Sequence, residues 1–350
     1  MEKNKLIYIY PKQSPFIQKD IDFLSTHYLL KINVLHVQKK ALLPVRLVQQ
    51  LIFLIKERKN TKVVLCRFGG YHNLIPSVLS NIFKWKIVLI FGGVECHCFP
   101  EIQYGFYLNP LLRKILGYAI KKASKILVVH WSLYEGKYEY FPTRCRQGLK
   151  ELYSLSDEKV TELKNGYEST IFFNQKLDRK PNSFITAAGE INRQTYYLKG
   201  IDLILELAKN LPDIQITIVG KYLLSTTHLP DNITIHPWCE QRELSNLYNQ
   251  HQFYLQLSIA EGFPNALCEA MLCGCVPIGS AVFGIPEIIG DAGFLVKRKS
   301  SDELVKLILN CKQTDLPALS IKAEKRIRNT FDLQKRNEQF LTILNSLGES

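Results

Sequence analysis

At 350 residues the chain is long enough for two ordinary hydrophobic cores, and 46% apolar with 22% charged residues are the proportions of a globular protein. No fixed-period repeat or low-complexity tract occurs, and no apolar run of about 18 residues, which excludes solenoid, propeller and spanning-helix architectures. Forty-five Lys and Arg against 32 Asp and Glu leave a formal charge of +13, a surplus suited to anionic surfaces or phosphorylated partners.

The N-terminal stretch MEKNKLIYIYPKQSP has no cleaved-signal pattern and runs into a first strand, Leu6 to Tyr10. After the loop Pro11 to Pro15, helical spacing covers Phe16 to His27, and Ile32 to Val37 reads as the second strand. Leu42 to Lys56 is amphipathic, with Leu43, Leu47, Leu51, Leu54 and Ile55 at helical spacing and Pro44 tolerated only in the first turn. Such a helix could lie on a membrane, but covering the core of a βαβ unit is the commoner role. Val63 to Leu65 and Ile87 to Phe91 are short buried strands followed by Gly69-Gly70 and Gly92-Gly93. A basic-faced helix, Pro110 to Lys121, and a strand, Ile126 to Val129, complete this half. Ten of the Lys and Arg fall between Lys39 and Lys86, where Glu57 stands alone among acids. Strands alternating with helices predict a doubly wound parallel sheet whose ligands lie at the carboxyl ends of the strands.

Lys164-Asn165-Gly166-Tyr167 is a turn, and Ser169 to Asn182, rich in Lys, Asn and Asp, reads as a linker. A second α/β unit follows: strand Phe184 to Ala187, helix Ile201 to Lys209, strand Ile214 to Val219, strand Ile233 to Ile235 and helix Leu244 to Tyr248. The domain limits drawn from this are 1–168, 169–182, 183–325 and a charged C-terminal helix, 326–350. Nine Cys, an odd number without framework spacing, predict reduced thiols in a cytoplasmic chain. Neither Cys96-His97-Cys98 nor Cys273/Cys275 has ordinary zinc spacing.

The most informative stretch is Tyr254 to Val296. A short apolar strand leads to the turn Ser258 to Pro264, Asn265 stands where a helix N-cap belongs, and Gly274 stops the helix. Val276 to Gly279 is the next strand, and Gly284-Ile-Pro286 opens another helix. Free backbone N–H groups at the N-terminus of the first helix favour a phosphate. Glu261 in the turn and Glu269 in the helix are poor neighbours for an anion, so they suit hydroxyl groups, to which a carboxylate offers bidentate acceptance.

Glu261-Gly-Phe-Pro-Asn-Ala-Leu-Cys-Glu269, with Gly274, Pro277 and Gly284-Ile-Pro286-Glu287, resembles the donor-site signature of the retaining glycosyltransferases of family 4, the group 1 glycosyl transferases. The resemblance implies the GT-B architecture, two Rossmann-like α/β domains facing a central cleft. It implies that Glu261 contacts the transferred sugar and Glu269 the ribose of the nucleotide. Gly262, Phe263, Pro264, Asn265, Ala266 and Leu267 line the donor between them. Lys199, followed by Gly200, and Arg193 match the cations that face the diphosphate, although Glu190 stands where many relatives carry the Arg. Trp238 of His236-Pro237-Trp238 matches the base-contacting region. Glu95 and His97 lie where relatives place a group beside the reacting sugar. The loop Pro11 to Phe16 lacks the Gly-Gly of relatives, and the last helix is expected to return to the first domain.

The reading that follows is a hexosyltransferase moving a sugar from a nucleoside diphosphate, a UDP-sugar, with retention and without a metal or other cofactor. Its acceptor would be a membrane-proximal or lipid-linked glycan of cell-surface polysaccharide or lipopolysaccharide synthesis. The basic first domain would touch an anionic membrane at its cytoplasmic face, and no nucleic-acid partner is indicated. The alternatives are an epimerase or phosphorylase of similar architecture and a nucleotide-sugar-binding scaffold without turnover. A Rossmann dehydrogenase is disfavoured because no G-x-G-x-x-G follows the first strand.

Overall fold

Alternating buried strands and helices build two separate sheets. A computed structural model describes residues 3–37, 39–224, 228–311 and 313–348. The first sheet comprises β1 (Lys5–Tyr10), β2 (Leu29–Val34), β3 (Thr61–Arg67), β4 (Lys86–Phe91), β5 (Lys125–Val128) and β6 (Val160–Glu162). The second comprises β7 (Lys180–Ile191), β8 (Gln215–Tyr222), β9 (Ile233–His236), β10 (His251–Gln256), β11 (Val276–Ser280) and β12 (Phe294–Val296). Their orders are β2-β1-β3-β4-β5-β6 and β12-β11-β10-β7-β8-β9, with every pairing parallel.

Between its strands the first sheet is flanked by α1 (Pro15–His27), α2 (Leu43–Lys56), α3 (Leu74–Phe83) and α4 (Pro110–Lys122). The chain steps from β1 outward to β2 and then back past β1 to β3. Right-handed crossovers therefore put α1 on one face and α2, α3 and α4 side by side on the other. The strands show this in their own sequence. Leu6 and Tyr8 of β1 pack with Ile17 and Leu24 of α1, while Ile7 and Ile9 belong to the core that contains Leu54, Leu79 and Ala119. Helix α3 and strand β6 were not legible in the sequence, and β2 ends at Val34 rather than Val37.

The polar stretch after residue 169 is tied to the second domain. Ser245 Oγ donates to the Ile171 carbonyl (2.8 Å), Asn249 Nδ2 to that of Phe173 (3.0 Å), and Arg179 to those of Tyr248 (3.1 Å) and His251 (2.6 Å). The charged tail forms two helices, Leu316–Thr330 and Leu333–Gly348. Between them Tyr167 bonds through its N–H to the Phe331 carbonyl (2.8 Å) and receives the Leu333 N–H (3.1 Å). A Cβ on Gly166 would lie 2.6 Å from the Leu333 Cα, so the turn needs glycine to let the chain cross.

The Leu333–Gly348 helix packs on the first sheet. Phe340 and Leu344 join Leu6, Tyr8 and Ile17, Arg336 bonds Asp20 (2.6 Å), and Tyr28 Oη donates to Asn345 (2.6 Å). Phe340 is fully buried there. Phe340→Ala is expected to cost about 3–5 kcal/mol, read by urea unfolding. Gln334→Ala, at an exposed position of that helix, should leave the midpoint unchanged.

Candidate active site

The carboxyl ends of both sheets face one cleft. Strand β10 runs into a wholly buried segment, Leu257 to Ala260, which then turns at Glu261. Against it lies the loop Lys199-Gly200, where the Ile259 N–H bonds the Leu198 carbonyl (2.8 Å). Gly200 has φ +69°, and a Cβ there would meet the Leu257 carbonyl oxygen at 2.2 Å, so the two segments touch backbone to backbone. That contact delivers Lys199 Nζ to Glu261, to which it donates a hydrogen bond within an ion pair. Glu261 also accepts from Ser258 Oγ (3.2 Å) and Gln256 Nε2 (3.5 Å).

The helix Asn265–Leu272 follows, and here one expectation is corrected. Its N-cap is Pro264, which supplies no side-chain acceptor, and Asn265 is the first helical residue. The Asn265 side chain accepts from Tyr167 Oη (2.6 Å) and Asn165 Nδ2 (3.2 Å) of the first domain, donors better placed than its own helix N–H groups. The helix N-terminus is consequently left without a side-chain cap, which is the condition for receiving an anion. Leu267 and Phe263 are buried side chains, Leu267 wholly in the core and Phe263 against Tyr167 and Phe331. Ala266 is half-buried.

At Gly262 the two domains meet main chain to main chain. A Cβ there would lie 2.0 Å from the Gly92 carbonyl oxygen, and one on Gly284 would lie 2.5 Å from the Gly262 carbonyl oxygen. Across this contact stands the loop after β4. The Gly92 N–H donates to Glu95 (2.7 Å), whose carboxyl is buried and pushed upward in pKa by that burial. The resemblance placed Glu95 beside the sugar; one of its oxygens braces the loop through Gly92, and the other is buried without a partner. His97 is fully buried among Phe283, Tyr104 and Phe99, with ring centroids 4.4, 5.9 and 6.0 Å away. Burial pushes its pKa down to about 3, so the ring is neutral at ordinary pH, and neither nitrogen has a partner. Such a ring offers one donor and one acceptor to a bound hydroxyl.

Glu269 is set into the wall of an interdomain cleft of about 270 Å³, opposite Lys19, Arg67 and Phe16. Burial raises its carboxyl pKa to about 7, against a smaller lowering by Lys19. The loop without glycine is closed by Ser14, which caps α1 by accepting the Ile17 N–H (3.3 Å), and by Phe16, whose ring lies 4.3 Å from the Arg67 guanidinium. Trp238 is 65% exposed and borders a recess with Gly220, Tyr222 and Pro237, leaving one face free for stacking. Arg193 is not brought to the Lys199–Glu261 pair. It is exposed at the first turn of the Arg193–Leu198 helix and has no ion pair among the described residues. Its neighbour Gln194 instead reaches the carbonyls of Ile102 (3.3 Å) and Gln103 (2.5 Å) in the first domain.

One charged cluster escaped the sequence. Glu287 of the second domain receives bonds from His130 Nε2 (2.8 Å) and Lys164, and Lys164 also pairs with Glu162 (3.2 Å). Burial pushes the Glu287 carboxyl upward, but these bonds outweigh it and leave the group below its ordinary range. His130, Glu162 and Glu287 present ligand atoms within 4.8 Å of one another, as do His236, Cys239 and Glu243. In the first group the Lys164 ammonium already serves both carboxylates. The nine cysteines are all free, eight of them buried.

Residues 170–330 match the family described as glycosyl transferases group 1. Trehalose synthase of Pyrococcus horikoshii is 38% identical over 110 residues, 31% of this chain and 26% of that protein. N-acetyl-alpha-D-glucosaminyl L-malate synthase of Bacillus anthracis is 25% identical over 258 residues, 69% of this chain and 62% of that one. The chain thus spans less than two thirds of the length of either relative. The structure of Anabaena Alr3699/HepE in complex with UDP and glucose superposes with a TM-score of 0.71 at 13% identity, over 98% of this chain and 99% of that one. The chain has the GT-B fold and carries a group 1 glycosyl transferase domain.

Glu269 gives stability a pH dependence of definite sign. Between its ordinary pKa near 4.5 and the folded value of about 7, the folded chain holds a proton that the unfolded chain has released. Its contribution is greatest below that window and is lost as pH rises through about 7. Glu269→Gln should therefore gain stability relative to wild type as pH rises across the window, read as the difference in Tm between the two proteins at each pH.

Proposed function

We propose that the chain is a retaining glycosyltransferase that moves a hexose-type sugar from a UDP-sugar to a membrane-proximal or lipid-linked glycan acceptor. The observation that carries this reading is the Lys199–Glu261 pair laid beside an uncapped helix N-terminus at the domain junction. Transfer breaks the bond between C1 and the diphosphate oxygen, and negative charge grows on the leaving group. An ammonium and fixed N–H dipoles aimed at that charge lower the barrier without a metal. A donor sugar whose hydroxyls occupy Glu261 would release Lys199 toward the diphosphate. The neutral His97 ring would bind a further hydroxyl, and Glu269 would accept the ribose diol at the far wall of the cleft.

Retention is what the resemblance to the retaining family implies, and a front-face path in which the leaving diphosphate assists the incoming hydroxyl fits it. The presence of UDP in the Anabaena protein and of an N-acetylglucosaminyl group in the name of the Bacillus relative favours UDP-glucose and UDP-N-acetylglucosamine as the first donors to try.

Calorimetry of the purified chain with a panel of nucleotide sugars, with and without Mg²⁺, tests the donor site. One donor should bind without metal, and both Glu269→Ala and Lys199→Ala should weaken it. Turnover with that donor, followed as nucleotide release in the presence of membrane lipids, should fall roughly 10²–10³-fold in Lys199→Ala. Binding without turnover under every acceptor would favour a nucleotide-sugar-binding scaffold. Absence of binding across the panel in folded protein would sink the donor assignment.

A further inference from the structure

Helix α2 carries more apolar surface than covering a core requires, with Leu51, Phe53 and Leu54 packed on the core and further apolar residues outside. Its inward side holds Gln50, buried and donating to Asn33 (3.2 Å) and to the His72 carbonyl (3.1 Å), alongside Leu54. Its outward side carries Val45, Val48, Ile52 and Ile55, which are 54, 55, 62 and 41% exposed. Spacings of three, four and three residues place these four on one stripe. Helix α3, packed beside α2, adds Val78 and Ile82. An outward apolar stripe continued on the neighbouring helix is a patch that a chain free in water has no reason to keep.

The charges around the stripe are of one sign. Arg46, Lys56 and Lys59 of α2 and its C-terminal turn, and Lys84 after α3, are exposed. Neither α2, α3 nor α4 contains an acidic residue, and Glu57 is engaged by Lys5 (3.3 Å). Short branched side chains on a convex helical ridge offer no pocket for a partner's side chain, but they suit an acyl boundary, with flexible lysines reaching anionic headgroups.

We propose that the outer face of α2 and α3 is a bilayer-docking surface that enters the headgroup layer of an anionic membrane. The inference deepens the acceptor reading above and rests on it only for what the membrane would deliver. The docking itself is read without donor or acceptor. Docked in this way, the first domain would hold the cleft at a fixed height over the lipid, within reach of an acceptor headgroup.

Sedimentation of the full chain with sucrose-loaded vesicles tests this, using phosphatidylcholine alone and an equal mixture with phosphatidylglycerol. The wild type should pellet with the mixed vesicles, and on the order of tenfold less with phosphatidylcholine alone. Val48→Glu/Ile52→Glu should stay in the supernatant with both, and Lys56→Glu/Lys59→Glu should bind the mixed vesicles on the order of tenfold more weakly. All these side chains point outward, so the melting temperature and nucleotide-sugar binding of each variant serve as the control for folding and for the donor site. Equal pelleting of the apolar variant and the wild type would overturn the proposal, as would a wild type that ignores anionic vesicles. A wild-type dimer that Val48→Glu/Ile52→Glu splits into monomers, without vesicle binding, would overturn it in favour of a second copy.

Discussion

At the centre of the molecule two main chains come so close that no side chain fits between them. Gly262 faces the Gly92 carbonyl and Gly284 faces that of Gly262, each at a distance a Cβ would not tolerate. Close backbone approach fixes the position of everything attached to these loops. It sets the His97 ring beside the turn that holds Glu261, and a similar contact at Gly200 sets Lys199 on that carboxylate. The groups that would do chemistry are therefore placed by the main chain, which deforms less readily than long side chains.

The acids around this junction live in three different electrical settings. Glu261 is bonded to an ammonium, a hydroxyl and an amide. Glu287 is held low in pKa by His130 and Lys164 from the opposite domain, while Glu269 has burial as its main influence and is lifted to about 7. Glu287 thereby joins the two domains through charge at a place where the glycines join them through shape. Burial without a dedicated partner is the state in which a carboxyl is most sensitive to its surroundings.

Much of this was written locally. Apolar runs of three to six residues separated by amphipathic runs announced two parallel sheets, and the Glu261–Glu269 stretch with its glycines announced the cleft. What could not be read were partnerships between distant residues. His130 meets Glu287 across 157 residues and Arg336 meets Asp20 from near the opposite end of the described chain, and no pattern within a window of the sequence encodes such pairs. Asn265 was misassigned for the same reason, because its side chain left the helix end for Tyr167 of the other domain. Periodicity found α2 but not its orientation, since apolar residues occupy both sides of it and only packing decides which side faces in. Glu95 shows a further limit: the resemblance gave it a place in the loop after β4, but the bond that ties one of its oxygens to a loop N–H three residues back was not legible.

The return of the Leu333–Gly348 helix to the first sheet bears on how the protein is made. Leu6 and Tyr8 leave the ribosome a whole domain ahead of their partners Phe340 and Leu344. One face of β1 thus stays uncovered by that helix through the synthesis of the whole second domain, a period of tens of seconds at about 5–20 residues per second. The earlier of the two domains is in this sense completed only after the later one has been made, and the growing chain spends that interval with one face of β1 short of its final cover.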